Sequence, residues 1–230
     1  MDGNVKYGVG IKVDVDTRLA LEKIRRMDRR MFERVIKGAV NDTAYSTREH
    51  IQKFMKRVFH RPVSWTLRSV RFQKMKTMRD TASVYINDDQ LKYLKVQVTG
   101  GIRPHKQSER RLHASGDLAS GRVAVPTRYA TDSRGNFKKS MRFKVIDALV
   151  QNDKSSPYFA ITESGRHLKP GVYRRMARNK LRPVMVDSSS ATYRALFPFH
   201  RVALRYINRR LPRQLNRWME FQLKRAGVKK

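Results

Sequence analysis

Cysteine is absent from the 230-residue chain. That excludes a disulfide scaffold, thiol catalysis and zinc knuckles. Acidic residues are scarce, 19 Asp+Glu against 52 Lys+Arg, which leaves a formal charge of +33. No run of eighteen apolar residues exists, so no membrane-spanning segment is expected. The opening MDGNVKYGVGIKVDVD lacks a basic n-region and an apolar h-region, so no signal peptide is expected either. Low-complexity segments and internal repeats are missing as well. A hydrophobic content of 40% is too high for a wholly disordered basic tail. The length favours one compact domain over residues 1–230, with or without protruding arms.

What is present is positive charge, spread along the whole chain. Arg outnumbers Lys 32 to 20. Residues 18–61 and 99–144 each carry a net charge of +8, and residues 194–230 carry +10. A disordered nucleic-acid arm would be a block of like charge with few apolars. Here the charges interleave with a regular apolar pattern, as on solvated helix faces. The guanidinium group suits buried ion pairs and phosphate contacts alike. A pI near 11.2 therefore asks for an acidic partner: nucleic acid, an anionic surface or acidic protein.

The pattern predicts an α+β fold: a long N-terminal helix and C-terminal helices packed on a small antiparallel sheet, with a long extended loop arm. Val5, Tyr7, Val9, Ile11, Val13 and Val15 alternate as in a strand. Leu21, Ile24, Met27, Met31, Val35 and Ala39 then recur at steps of three or four, and Ile51, Phe54, Met55 and Val58 continue them. This predicts a helix over 17–59, stopped before Arg61-Pro62. Gly38 and Asn41-Asp42 are weak helix formers that could bend it. Residues 63–98 read as a hairpin region, and residues 99–139, punctuated by Gly and Pro, as an extended loop. Antiparallel strands follow over 157–187, and helices over 198–226 with a kink or restart at Pro212. Trp218, Leu215, Ile24 and Met31 are expected in the core.

Catalytic constellations are hard to find. The histidines His50, His60, His105, His113, His167 and His200 show no helical metal spacing beside a carboxylate, so no metal or cofactor is expected. Asp14 and Asp16, Asp88-Asp89, Glu109 and Glu163 have no evident partner for acid–base work. Gly100-Gly101 is a joint, because no Walker-type GKT or GKS follows it. No G-x-S-x-G elbow occurs. A non-enzymatic protein is the expectation. The remaining enzymatic reading is a nuclease whose dispersed acids, Asp16 and Glu163 among them, are gathered by the fold.

Two stretches carry family information. One runs Gly100-Gly101-Ile102-Arg103-Pro104-His105-Lys106, then Leu112, Gly116, Leu118, Gly121, Val125-Pro126 and Asp132-Ser133-Arg134-Gly135-Asn136. The other runs Pro170-Gly171-Val172-Tyr173-Arg174-Arg175, then Leu181-Arg182-Pro183-Val184, Tyr193, Phe197 and Phe199. In order and spacing, over roughly residues 60–210, they resemble loops of the tailed-bacteriophage minor tail protein Z or tail completion family. Residues 107–111 are more basic and polar than the family pattern. The resemblance implies a structural virion protein of a phage tail or head–tail neck, assembled in the host cytoplasm. It implies a homo-oligomeric ring, by analogy a hexamer, that completes the tail and helps join it to the head.

Partners would be neighbouring neck, portal-adaptor or tail-tube proteins, with non-specific contact to genomic DNA in the lumen and no membrane. Interface candidates are Arg103, Arg110, Arg111, Tyr173, Arg209, Arg210, Arg213 and Arg217. Arg209, Arg210, Arg213 and Arg217 are expected to meet protein carboxylates, while Arg110 and Arg111 face the channel. The alternative is a basic nucleic-acid-binding protein, of a DNA-packaging or nucleoid-like kind. Such a module should gather Lys and Arg on one face among exposed aromatic rings. An assembly protein should spread Arg over several interfaces.

Overall fold

Asp28 sets the start of the long helix. Its backbone is extended and its carboxylate accepts a hydrogen bond from the Met31 amide at 2.6 Å, a side-chain N-cap. The computed structural model describes residues 8–11, 28–165, 167–189 and 191–227. Helix α1 runs Arg29–Val58, about 45 Å at 1.5 Å per residue. The expected stretch 17–27, with Ile24, lies outside the described residues. Gly38 and Asn41-Asp42 do not break the helix, because each serves a tertiary contact. The Trp218 ring lies where a Cβ on Gly38 would stand, so only glycine lets the two helices approach. Asp42 accepts from Trp218 Nε1 at 2.8 Å, and the Asn41 amide exchanges hydrogen bonds with the Met75 backbone at 2.8 and 3.1 Å. Buried Thr43 and Thr47 return their hydroxyls to carbonyls one turn back, at 2.7 Å each, so neither is left unsatisfied.

The chain is α+β, with this long helix near its N-terminal end and one long helix near its C-terminal end. It divides into two compact units where a single domain was expected. The first unit takes the described residues up to Thr99 and from Ala195 onward. It holds β1 (Gly8–Ile11), α1, the short helix α2 (Ser64–Leu67), β2 (Val70–Gln73), β3 (Ala82–Ile86) and α3 (Asp88–Thr99). The expected hairpin is present: β2 pairs antiparallel with β3, and β1 adds to the other edge of β3 with Gly8 opposite Tyr85. Ile36, Val40, Ala44, Ile51 and Met55 of α1 pack with Val70, Val84 and Ile86 of the sheet and with Phe197, Phe199, Ala203 and Ile207. The last three belong to the C-terminal helix, Phe199–Arg225, which continues through Pro212 as one element. Met31 is buried, and Leu215 packs against the core.

The second unit, Gly100–Arg194, corrects the expectation of an extended arm over 99–139. Gly100 and Gly101 take positive φ (74° and 100°), a conformation that suits glycine, and α3 ends there. The chain then forms β4 (Gly101–Ile102), α4 (Gln107–Ala114) and β5 (Val123–Pro126) before α5 (Lys139–Val150). Apolar residues are few in this stretch, but Leu112, Leu118, Ala124 and Ala130 are buried with Val145, Ile146, Leu149, Val172, Val184 and Met185. That set makes an independent core. Strands β6 (Tyr158–Ile161), β7 (Gly171–Arg175) and β8 (Leu181–Ser188) form the expected antiparallel meander, and β5 joins it in the order β5-β8-β7-β6. Arg178 and Asn179, at φ 58° and 53°, turn the chain from β7 to β8, where the Met176 amide donates to the Lys180 carbonyl at 2.8 Å across the three residues between them. β9 (Thr192–Tyr193) closes the unit by pairing with β4. The C-terminal helix is α6 from here on.

Candidate functional site

The two units treat arginine differently. In the second unit, Arg103 is drawn inward. Its guanidinium donates to both oxygens of Glu109, to Oε2 at 2.7 Å and to Oε1. Glu109 is 2% exposed. Its carboxylate also accepts from the Lys106 amide at 2.7 Å and the Ala124 amide at 3.2 Å. One carboxylate thus ties the loop after β4, the first turn of α4 and strand β5 together. Burial alone would raise the Glu109 carboxyl. The Arg103 hydrogen bonds, the Lys106 amide and the nearby positive charges outweigh it and hold the group below its ordinary value.

Other cations of that unit are also occupied. Arg111 pairs with Asp147 at 2.9 Å, and Arg110 donates to the His105 carbonyl at 3.3 Å. Arg174 donates to the Tyr129 hydroxyl at 2.6 Å and lies over the Tyr158 ring. Arg182 covers Tyr129 and Arg175 covers Phe159, with the guanidinium carbon 4.8 and 4.2 Å from the ring centres. The Asp187 side chain is 1% exposed and 4.0 Å from Arg122 Nε. Its burial raises its carboxyl above the ordinary value, against the opposing charges of Arg122 and His113.

In the first unit, Arg48 lies over the Tyr45 and Phe72 rings and Arg34 donates to Gln222 at 3.2 Å, but one row of arginines is displayed. Arg201, Arg205 and Arg209 follow one another at four-residue steps along α6 and are all exposed. With Arg57 from the last turn of α1, they line a cavity of about 510 Å³ whose floor includes His50, Phe54 and Tyr206. His50 and Tyr206 stack at 4.2 Å between ring centres and 17° between planes. Burial, then the charges of Arg57, Arg209 and Lys53, push the His50 imidazole below its usual value. Among the described residues, no carboxylate lies within ion-pair distance of these four arginines. The arrangement offers cationic forks beside a stacked ring surface. Its chemistry is anion recognition.

Of the sequence-based candidates, only Arg209 belongs to this cleft. Arg213 and Arg217 are exposed further along α6, and Arg210 lies against Gln214, whose amide, with its oxygen turned toward the guanidinium, accepts from Nε and Nη2 at 3.1 and 3.0 Å. Tyr173 is buried and donates to the Lys169 carbonyl at 2.8 Å, so its ring supports its own unit. Arg103 and Arg111 are likewise engaged inside theirs. Sequence reasoning passed over His50, Arg57, Arg201 and Arg205. The four-residue spacing of Arg201, Arg205 and Arg209 was a usable signal for one helical face. Nothing in the sequence set Arg57 and His50 opposite it.

Among the described residues, no group of three or more His, Asp or Glu could hold a metal ion, and no helix is long and apolar enough to cross a membrane. No family model matches the chain, and neither a curated protein nor a solved structure matches it.

Proposed function

We propose that this chain is a non-enzymatic structural protein of a tailed-phage virion, placed in the tail or head–tail neck as a ring subunit that completes the tail. One observation carries the reading beyond the resemblance itself. The two resembling stretches lie far apart in sequence yet pair with each other strand by strand. Gly101 stands opposite Tyr193, Val125 opposite Val186, and the Thr127 amide donates to the Val184 carbonyl at 2.9 Å. Apart from Phe197 and Phe199, which pack in the first unit's core, the shared residues thus belong to one compact unit, as a family's common framework would. Exposed Ile102, Phe143, Leu181 and Tyr193 on that unit, and exposed Trp65, Leu204 and Phe221 on the other, supply apolar contacts of the kind subunit interfaces bury. Acidic faces of neighbouring neck, portal-adaptor or tail-tube proteins would compensate much of the +33 charge.

The test is mass spectrometry of purified particles from the phage whose genome encodes this chain. A ring subunit is present in each particle at a small fixed copy number, and charge reversal at Arg213 and Arg217 yields heads packed with DNA but unjoined to tails. Particles that lack the chain altogether contradict the reading. The cationic cleft favours a second reading, a nucleic-acid-binding protein, and that cleft has chemistry of its own.

A further inference from the structure

The cleft between α1 and α6 combines three features that point to one kind of anion. First, its cationic lining is arginine, whose planar fork matches phosphate oxygens bidentately. Second, Arg201, Arg205 and Arg209 recur every four residues on a helix, about 6 Å apart along the axis at 1.5 Å per residue. That step is close to the separation of successive phosphates along an extended strand. Carboxylates at four-residue steps on an acidic helix repeat at the same interval, so the choice of nucleic acid rests on the rings beside the cations. Third, Tyr206 and His50 present stacked rings beside the cations, and base–ring stacking is the sequence-tolerant contact of single-strand binding. The α6 N-terminus opens at the same place, with Pro198 on the cleft wall, so the positive end of the helix adds to the field.

We propose that this cleft binds the sugar–phosphate backbone of a single nucleic-acid strand. Arg201, Arg205 and Arg209 take successive phosphates along one wall, Arg57 closes from the other, and the Tyr206–His50 pair contacts a base. This proposal goes beyond the virion reading and does not rest on it. It concerns the ligand of one cleft, whereas particle composition tests the other claim.

The experiment is fluorescence anisotropy of the full chain with a labelled single-stranded oligonucleotide of mixed sequence, over a range of salt concentrations. A protein of this charge attracts any polyanion, so the comparison is between variants of equal charge. Arg201→Ala/Arg205→Ala is expected to weaken binding by roughly tenfold or more, and to lower the salt slope by about 1.4, at about 0.7 per lost phosphate contact. Arg128→Ala/Arg134→Ala, exposed in the second unit, is expected to change affinity less than about twofold. If the first double variant fails to fold by circular dichroism, Arg205→Gln replaces it, with an expected slope change of about 0.7. Equal losses in both double variants would mean diffuse attraction and overturn the proposal. So would displacement of the oligonucleotide by polyglutamate at equal charge concentration, which would make acidic protein the ligand.

Discussion

The second unit turns its cations toward its own acids and rings, while the first leaves one row of them, Arg57, Arg201, Arg205 and Arg209, facing out from a helix pair. Glu109 and Arg103 lie nearly out of water and hold three segments together. Arg57, Arg201, Arg205 and Arg209 line a cleft with no acid among the described residues to meet them. One residue type therefore has two jobs in one chain. A bare count of positive charge does not separate them. The separation comes from where the few carboxylates are placed: with 19 acids for 52 bases, each acid that is buried with a partner marks a structural site, and a stretch without one marks a surface turned toward something else.

The sharpest way to break this comparison is to remove the structural acid. Glu109→Ala strands the Arg103 guanidinium in a nearly dry site. Loss of one partner of a buried pair is expected to cost about 3–5 kcal/mol. Hydrogen exchange should show the amides of residues 100–194 losing protection while those of α1 and α6 keep theirs. Uniform loss in both units would mean that they do not behave as separate cores. The pH dependence has the same origin. The Glu109 carboxyl titrates below its unfolded value, so its stabilisation is complete above the unfolded value and is lost as pH falls through the folded one. Acid should therefore loosen the second unit, and Glu109→Gln should remove that component of its acid sensitivity.

A somewhat smaller effect is expected in the first unit from Trp218→Ala. The ring covers Gly38 and donates to Asp42, so its loss opens a cavity between the long helices at a cost of about 3 kcal/mol. An unchanged melting temperature would show that the helix pair does not depend on this contact.

The smallest expected effect has the opposite sign. Buried Asp187 has a carboxyl raised by desolvation; its charged form therefore opposes folding above its folded value, and the penalty fades as pH falls toward its unfolded value. Asp187→Asn should stabilise the second unit by about 1 kcal/mol at neutral pH, and the gain should shrink on acidification. A destabilised variant would mean that the Arg122 interaction outweighs the cost of burial.

Periodicity made the long elements legible. The three- and four-residue steps from Met31 to Val58 marked α1, and the breaks at Gly165 and at Ala177-Arg178-Asn179-Lys180 marked the meander of β6, β7 and β8. The second unit was harder to see, because its core rests on short helices and scattered residues such as Leu112, Leu118 and Ala130, none long enough to show a period. Residues 99–139 therefore read as a loop. Trp218 against Gly38 explains why a weak helix former sits in mid-helix, but that contact joins residues 180 positions apart and leaves no local trace. The cleft was half visible: the arginine stripe on α6 could be read from its spacing, whereas the opposing wall of His50 and Arg57 depends on how α1 packs on α6.

The most direct measurement of the division of labour among the arginines is a nuclear magnetic resonance titration that follows arginine Nε–H resonances as inorganic phosphate, and then a short single-stranded oligonucleotide, is added to the full chain. The account expects Arg57, Arg201, Arg205 and Arg209 to shift first and together, while Arg103 and Arg174 stay in place. Shifts spread evenly over all exposed arginines, or beginning at Arg182 and Arg175, would contradict it.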